Sequence, residues 1–468
     1  MKLHRFDVPG LSHYSYLLES AGAAAVIDPK RDIDTYIEAA AAHDVKIAAV
    51  LETHIHADYA SGALELARTA GADLLVSGHD VGEMFECRFP HRDMRDGDEV
   101  RIGDVRLRAL HTPGHTPEHV SFLLFDTIRN PREPLAMFSG DFIFVGSLGR
   151  PDLLGEDAKR RLAGELYQSV HARIEALHDG LEIYPAHGAG SMCGAGMSDR
   201  PQSTLGYERR SSLLFAPQSK ERFIETVLAH VPPFPPYYRR MKRVNSEGPK
   251  MLGLPGDMVL RPPAFQELRG RDAVVIDLRR PEAFGGAHIP GAYNIGSGPN
   301  LPVWASWIVP YDRSILLVGD DSTNYDDARR ALIRVGLDDV RGWLKGGMRA
   351  WIEGGLEQAH VPQMSVAELA SELHKNVFVL DVRGDAEWAS GHIAGARHIM
   401  GGELPERLGE IPRSETIHVT CAGGYRSSVA ASVLRAAGYS QVVNVVGGME
   451  AWKRSHLPLV TEPVGLAV

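Results

Sequence analysis

Thr53-His54-Ile55-His56-Ala57-Asp58-Tyr59 packs two imidazoles and a carboxylate into one turn, directly after the apolar run Ile47 to Leu51. That run reads as a buried strand. Ligands on the loop after a strand end are held by a rigid scaffold while staying open to a substrate. Partners for them lie downstream. His115 sits in His111-Thr112-Pro113-Gly114-His115-Thr116, Asp141 in Phe138-Ser139-Gly140-Asp141, and His187 in Tyr184-Pro185-Ala186-His187-Gly188. Each follows another β-rich run. A single histidine would be read as a satisfied core or loop side chain, but the ordered set points to a metal.

The order H-x-H-x-D, G-H-T, S-G-D, P-A-H resembles the metallo-β-lactamase superfamily over roughly the first half of the chain. The resemblance implies a four-layer αββα sandwich with metal at one edge of its two sheets. Most members carry a second histidine after the Asp, where this chain has Tyr59. A phenol is a poor ligand, so a second site built from Asp58, Tyr59 and His187 is expected to be impaired and one strong site to remain. Within the superfamily the pattern is most similar to the persulfide dioxygenases. That similarity implies one Fe(2+) per chain held by His54, His115 and Asp141, with His56, Asp58, Tyr59 and His187 orienting ligands and waters around it. Two imidazoles and one carboxylate suit non-haem iron with open positions, although imidazole also suits zinc.

A length of 468 residues suggests about three domains. With 44% hydrophobic and 24% charged residues a sizeable core is available. A net charge of -10 argues against a nucleic-acid surface. No apolar run approaches a membrane span, and Met1-Lys2-Leu3-His4-Arg5-Phe6 lacks the apolar core of a secretory signal. Three scattered cysteines, Cys87, Cys193 and Cys421, give no disulfide framework, so a reducing cytoplasm is expected. The metal-bearing domain is expected over 1–240, closing with a helix from about Lys220 to His230. The prolines of Val231-Pro232-Pro233-Phe234-Pro235-Pro236-Tyr237-Tyr238 oppose regular structure. Residues 241–262 read as an ordered Pro-rich linker, with the nearby aromatics packed on a domain face.

An internal repeat follows, over 263–360 and 361–468. Val274-Val275-Ile276-Asp277-Leu278-Arg279 matches Val377-Phe378-Val379-Leu380-Asp381-Val382-Arg383, and Ala287-His288-Ile289-Pro290-Gly291-Ala292 matches Gly391-His392-Ile393-Ala394-Gly395-Ala396. Gly346-Gly347-Met348 with Trp351 matches Gly447-Gly448-Met449 with Trp452. Alternating strands and helices imply mainly parallel sheets covered on both faces. In the second copy a strand runs into Cys421-Ala422-Gly423-Gly424-Tyr425-Arg426 and then a helix. A cysteine there meets free backbone N–H groups, the positive end of the helix dipole and a guanidinium, which together stabilise an anionic sulfur.

C-x-x-G-x-R with its flanking motifs is similar to the rhodanese sulfurtransferases. The resemblance implies that Cys421 cycles between thiolate and persulfide, that the amides of Ala422, Gly423, Gly424 and Tyr425 cradle an anion, and that Arg426 pairs with its charge. Aligned without a gap, the first copy has Asp320 at the place of Cys421 and Tyr325 at that of Arg426, so it is expected to be inactive.

The expected fold class is therefore mixed α/β, an αββα sandwich followed by two rhodanese-like domains. The fusion resembles those that oxidise low-molecular-weight thiol persulfides with O2 to sulfite and form or consume thiosulfate in sulfide detoxification. Such relatives imply a homo-oligomer, a dimer or tetramer. Cys193 reads equally as a sulfur relay near the metal or as a packing residue, Arg150 as a contact for the substrate's carboxylate or a salt-bridged surface residue, and Cys87 as structural. Two other readings are a glyoxalase II-like thioester hydrolase, which needs two metals, and a sulfur carrier or sensor that does not oxidise.

Overall fold

Residues alternate between two faces along the first strands, and that alternation builds four layers in the chain up to about residue 255. The computed structural model describes residues 1–229, 231, 235–253, 258–375 and 377–461, and it divides near residue 255 into two units. In the first unit, Lys2–Val8, His13–Ser20, Ala23–Ile27, Lys46–Leu51, Asp73–Ser77 and Arg92–Met94 lie side by side in chain order as a six-stranded sheet. A second six-stranded sheet runs in the order Ser203–Thr204, Glu182–Pro185, Ala136–Gly140, Val120–Asp126, Val105–His111, Glu99–Ile102. Tyr16, Leu18, Ile27 and Leu51 pack between the sheets against Leu107, Phe122 and Phe138. The intervening residues face outward. Leu17, Val26 and Val50 meet Tyr36, Leu66 and Ala67 from helices Asp34–Ala42 and Ala63–Ala70. Leu123, Met137 and Ile183 meet Leu166, Leu205 and Phe223 from helices on the far side. This is the αββα sandwich expected from the sequence.

The expected linker over 241–262 is corrected at its start. Tyr237–Glu247 is a helix, with Tyr237, Tyr238, Met241, Lys242 and Asn245 buried. Pro236 stands at its N-cap, where a proline costs nothing because that N–H has no helical partner. Residues 238, 241, 242 and 245 then share one face, the period of a packed helix. The expected helix from Lys220 spans Lys220–Ala229. Pro232, Pro233 and Phe234, and residues 254–257 of the expected linker, lie outside the described residues.

The second unit holds two five-stranded sheets with one topology. Val259–Leu260, Val340–Leu344, Ile315–Val318, Val274–Asp277 and Tyr293–Asn294 form the first. Gln363–Ser365, Val442–Val446, Ile417–Thr420, Phe378–Asp381 and Arg397–His398 form the second in the same order. The neighbouring strands of each are parallel. The repeated motifs are staples. Arg279 donates to Asp277 and to the Ala287 carbonyl, as Arg383 does to Asp381 and the Gly391 carbonyl. His288 stacks on Phe284 at 3.8 Å and His392 on Trp388 at 3.5 Å. Among the described residues no helix is long and apolar enough to cross a membrane.

Candidate metal centre and sulfur loop

The loops after Leu51, His111, Gly140 and Pro185 deliver the histidines and carboxylates to one edge of the sandwich. Gly140 makes the approach possible. It sits at φ +54°, and a Cβ there would lie 2.6 Å from both His119 Nε2 and Thr53 Oγ1. Nε2 of His54 and Nε2 of His115 lie 3.8 and 3.3 Å from Asp141 Oδ2, with all three side chains essentially without solvent exposure. None of these three atoms has a hydrogen-bond partner.

Neighbours fix why the three point inward unprotonated. Thr53 donates its backbone N–H and its hydroxyl to Asp28 at 2.7 and 2.9 Å. Its oxygen therefore receives Nδ1–H of His54, 3.0 Å away, which leaves the Nε2 lone pair free. His115 donates Nδ1–H to the Arg150 carbonyl at 3.0 Å, with the same result. Burial, reinforced by neighbouring imidazoles, lowers the pKa of both rings well below the ordinary histidine value, so they stay neutral. Asp141 spends Oδ1 on His187 Nδ1 at 2.7 Å and leaves Oδ2 open. Three buried lone pairs converging without a proton are costly unless a cation meets them. The donor set fits a single metal ion.

Most of the surrounding groups are engaged with one another, while Asp58 Oδ1 and His56 Nδ1 are buried without a partner. His187 spans two carboxylates, with Nε2 donating to Asp58 at 2.8 Å. Burial alone would lower its pKa, but Asp141 and Asp58 outweigh that and raise it to about 10. His56 Nε2 lies 2.9 Å from Glu52 and 3.2 Å from Asp28, and these carboxylates raise its pKa well above normal against the opposing effect of burial. Tyr59 donates its hydroxyl to the Asp28 carbonyl at 3.2 Å. Cys193 is buried, with its sulfur clustered with ligand atoms of Asp58 and His187. Burial and then the carboxylates of Asp58 and Asp141 raise its thiol pKa, so it is a neutral thiol at the metal edge. Of its two readings, Arg150 takes the salt-bridged one. Asp152, two residues on, takes its guanidinium at 2.7 and 2.8 Å, and the Met192 carbonyl takes a third N–H at 2.9 Å. Arg150 reaches the site through its carbonyl on His115. Cys87 is a partly buried thiol whose pKa burial pushes up to about 12.

The sequence reading missed the Tyr237–Glu247 helix as part of this site. Lys242 Nζ donates to the Ile55 carbonyl at 2.8 Å, and Asn245 donates to the carbonyls of His56 and Tyr59 at 2.8 and 2.7 Å. A lysine and an asparagine on the same helical face as Met241 are the signal, since polar groups at core positions must find partners. His13 was also missed. Fully buried, it packs on Tyr59 with ring centroids 4.1 Å apart.

In the second unit, the Gly424 N–H donates to Cys421 Sγ at 3.1 Å, and Ser427 Oγ lies 3.5 Å from it. Gly424 holds φ +113°, open to glycine and strained for other residues. Arg426 stands close enough to Cys421 to feel its charge and is bound to Glu387. Its guanidinium makes two bonds to Glu387, at 2.6 and 2.7 Å, because that carboxylate offers a fork-shaped partner. Tyr425 donates its hydroxyl to the Gly296 carbonyl of the first copy at 3.4 Å.

The alignment of the first copy is also corrected. Val318 and Thr420 stand at matching places beside Asp277 and Asp381, and the carbonyls of Gly319 and Cys421 receive the N–H groups of Met348 and Met449. Gly319 therefore occupies the place of Cys421. The helices start at Tyr325 and Tyr425, so Asp326 occupies the place of Arg426 and the first loop is two residues longer.

A family model of the metallo-β-lactamase superfamily matches residues 8–188, and one of the rhodanese-like domain matches 262–353 and 365–455. A crystal structure titled as a metallo-β-lactamase from Staphylococcus aureus subsp. aureus COL is 34% identical, with TM-score 0.65, covering 74% of this chain and 98% of that one. A hydroxyacylglutathione hydrolase of Arabidopsis thaliana is 34% identical over 186 residues, 39% of this chain and 66% of the relative. A probable metallo-hydrolase of Burkholderia pseudomallei (strain 1710b) is 30% identical over 40% of this chain and 72% of the relative. The chain spans 66%, 62% and 63% of the first three curated relatives, all hydroxyacylglutathione hydrolases.

Proposed function

This chain belongs to the metallo-β-lactamase superfamily and carries two rhodanese-like domains, and we propose that it oxidises low-molecular-weight thiol persulfides with O2 and moves sulfane sulfur through Cys421. The supporting observation is the set of three unpartnered atoms, His54 Nε2, His115 Nε2 and Asp141 Oδ2, beside a would-be second site where the Tyr59 hydroxyl and both His187 nitrogens are engaged and Asp58 keeps only Oδ1 unpartnered. Two imidazoles and a carboxylate are the set that suits ferrous iron with vacant positions. His54, His115 and Asp141 would hold Fe(2+), which would supply the redox chemistry that joins O2 to a persulfide. The chain's own residues do the rest. Thr53 and the Arg150 carbonyl hold the imidazole protons away from the centre, and His187 holds Asp141 in place. The overall reaction takes a persulfide, O2 and water to a thiol and sulfite. In the second unit the Cys421 sulfur would attack the sulfane sulfur of thiosulfate and release sulfite, or the persulfide would pass its outer sulfur to sulfite in reverse. Its cradle is the Gly424 amide. Buried beside Asp58 and His187, Cys193 is the candidate for holding sulfur near the metal.

A thioester hydrolase is the second reading, favoured by the 34% identity to a hydroxyacylglutathione hydrolase. It calls for two metals that share an activated hydroxide. About one iron per chain supports the dioxygenase, and two zincs support the hydrolase. The decisive pair of variants is His115→Ala and Cys421→Ser. The first should abolish oxygen uptake with glutathione persulfide yet leave thiosulfate:cyanide sulfurtransfer. The second should lower sulfurtransfer at least about a hundredfold and leave oxygen uptake intact. Loss of both activities in either folded variant would overturn the two-site reading.

A further inference from the structure

Away from the buried centre, three side chains meet at the outer edge of the first sheet with no assigned work. Lys2–Val8 pairs antiparallel with His13–Ser20, with Lys2 opposite Glu19 and His4 opposite Leu17. Lys2, His4 and Glu19 therefore share one face, with His4 diagonal to Glu19. His43 arrives on that face as the C-cap of helix Asp34–Ala42. Lys2 Nζ takes Glu19 Oε1 at 2.9 Å, which turns the other oxygen toward the imidazoles. Oε2 then lies 3.6 Å from His4 Nε2 and 3.6 Å from His43 Nδ1.

That spacing is too long for a hydrogen bond. It is close to the separation of about 3.3–3.4 Å between neighbouring ligands around a tetrahedral zinc ion with bonds of about 2.0–2.1 Å. Glu19 Oε2 and His4 Nε2 are both buried without a hydrogen-bond partner, and the Glu19 side chain is only 7% exposed. The three ligand atoms lie within 4.8 Å of one another, around a gap of a size that a metal ion would fill. The C-terminal end of the helix adds partial negative charge where a cation would sit.

We propose that His4, Glu19 and His43 form a second, peripheral site for a zinc-class divalent ion, clipping the end of the Asp34–Ala42 helix to the sheet edge. The His43 side chain is 34% exposed, so the ion would keep an open position toward solvent. Imidazole with carboxylate suits zinc, whereas magnesium and calcium take oxygen ligands.

The test is a titration of iron-loaded protein with zinc chloride against a chromophoric chelator, with bound iron and zinc counted by mass spectrometry. The wild-type protein should take up one zinc with its iron retained. His4→Gln/His43→Gln should weaken that zinc at least tenfold without loss of iron, and Glu19→Gln should act in the same direction. Added zinc should raise the thermal midpoint of the wild-type protein and not that of the double variant, because an ion bound only by the folded state stabilises it. No uptake by the wild-type protein overturns the proposal. So does equal uptake by the double variant, including zinc that replaces iron one for one.

Discussion

The two rhodanese-like copies have one topology and one set of staples, yet differ in the loop proposed to carry the sulfur chemistry. In both, a buried aspartate two residues before an arginine ties the strand end to the following turn. In both, a histidine stacks on an aromatic ring four residues back, and a tryptophan N–H closes on a carbonyl six residues on. Cys421, the proposed nucleophile, stands in one and Gly319 holds the matching place in the other. The motifs that repeat most visibly are therefore the ones that hold the domain together.

The sharpest way to break that comparison is to cut the shared staple in each copy. Arg383 makes three bonds of 2.6 to 2.9 Å to Asp381, with both side chains at most 2% exposed. Asp381→Asn should cost about 3–5 kcal/mol, because it strands a buried guanidinium. Asp277→Asn should cost somewhat less, since Arg279 is 9% exposed. Urea unfolding followed by tryptophan fluorescence reads both, as Trp351 and Trp452 are buried one in each copy. A neutral Asp277→Asn would mean that the first copy does not depend on this staple.

Those staples were legible in the sequence because each is local. Asp277, Arg279 and His288 act within a dozen residues of one another, and a repeat displays such a unit twice. The His54, His115 and Asp141 set was legible for a related reason, since each ligand ends its own strand. What was not legible is long-range or gapped. Lys242 and Asn245 reach the ligand loop from 187 and 189 residues away, and the prolines before them suggested a linker. A gapless alignment set Asp320 opposite Cys421, because two extra loop residues leave no mark in the flanking motifs. The partners that take up Arg150 and Arg426 likewise depend on side-chain geometry that composition does not carry.

A smaller, pH-dependent effect is expected in the first copy. Burial, with Arg435 and Arg279 adding to it and the Phe284 carbonyl opposing it, lowers the pKa of His288 to about 4. The unfolded chain, with an ordinary value near 6.5, binds more protons between these limits. Stability is therefore fully present above about pH 6.5 and is lost as the pH falls toward 4, by about 1–2 kcal/mol at pH 5. His288→Gln should flatten that slope in denaturation curves taken at pH 7 and pH 5. An unchanged slope would remove His288 as its source.

The smallest effect expected is a gain that does not occur. Gly319→Cys puts a thiol at the place of Cys421 on an equivalent strand, but its Cβ would run into the Thr323 side chain and the cradle does not come with it. In the second copy the chain passes from Cys421 to the helix in four steps, closing with the Gly424 amide on the sulfur. In the first it takes six, and Thr323 and Ser322 turn their hydroxyls and a backbone amide onto Asp320, which holds negative charge where the loop would have to accept an anion. In a Cys421→Ser background, Gly319→Cys should therefore leave thiosulfate:cyanide sulfurtransfer at the Cys421→Ser level. Recovery would show that a strand-end thiol suffices and that the Gly424 amide is dispensable. If recovery instead requires Asp320–Asn324 to be replaced by Ala-Gly-Gly as well, the loop rather than the cysteine is what the first copy lacks.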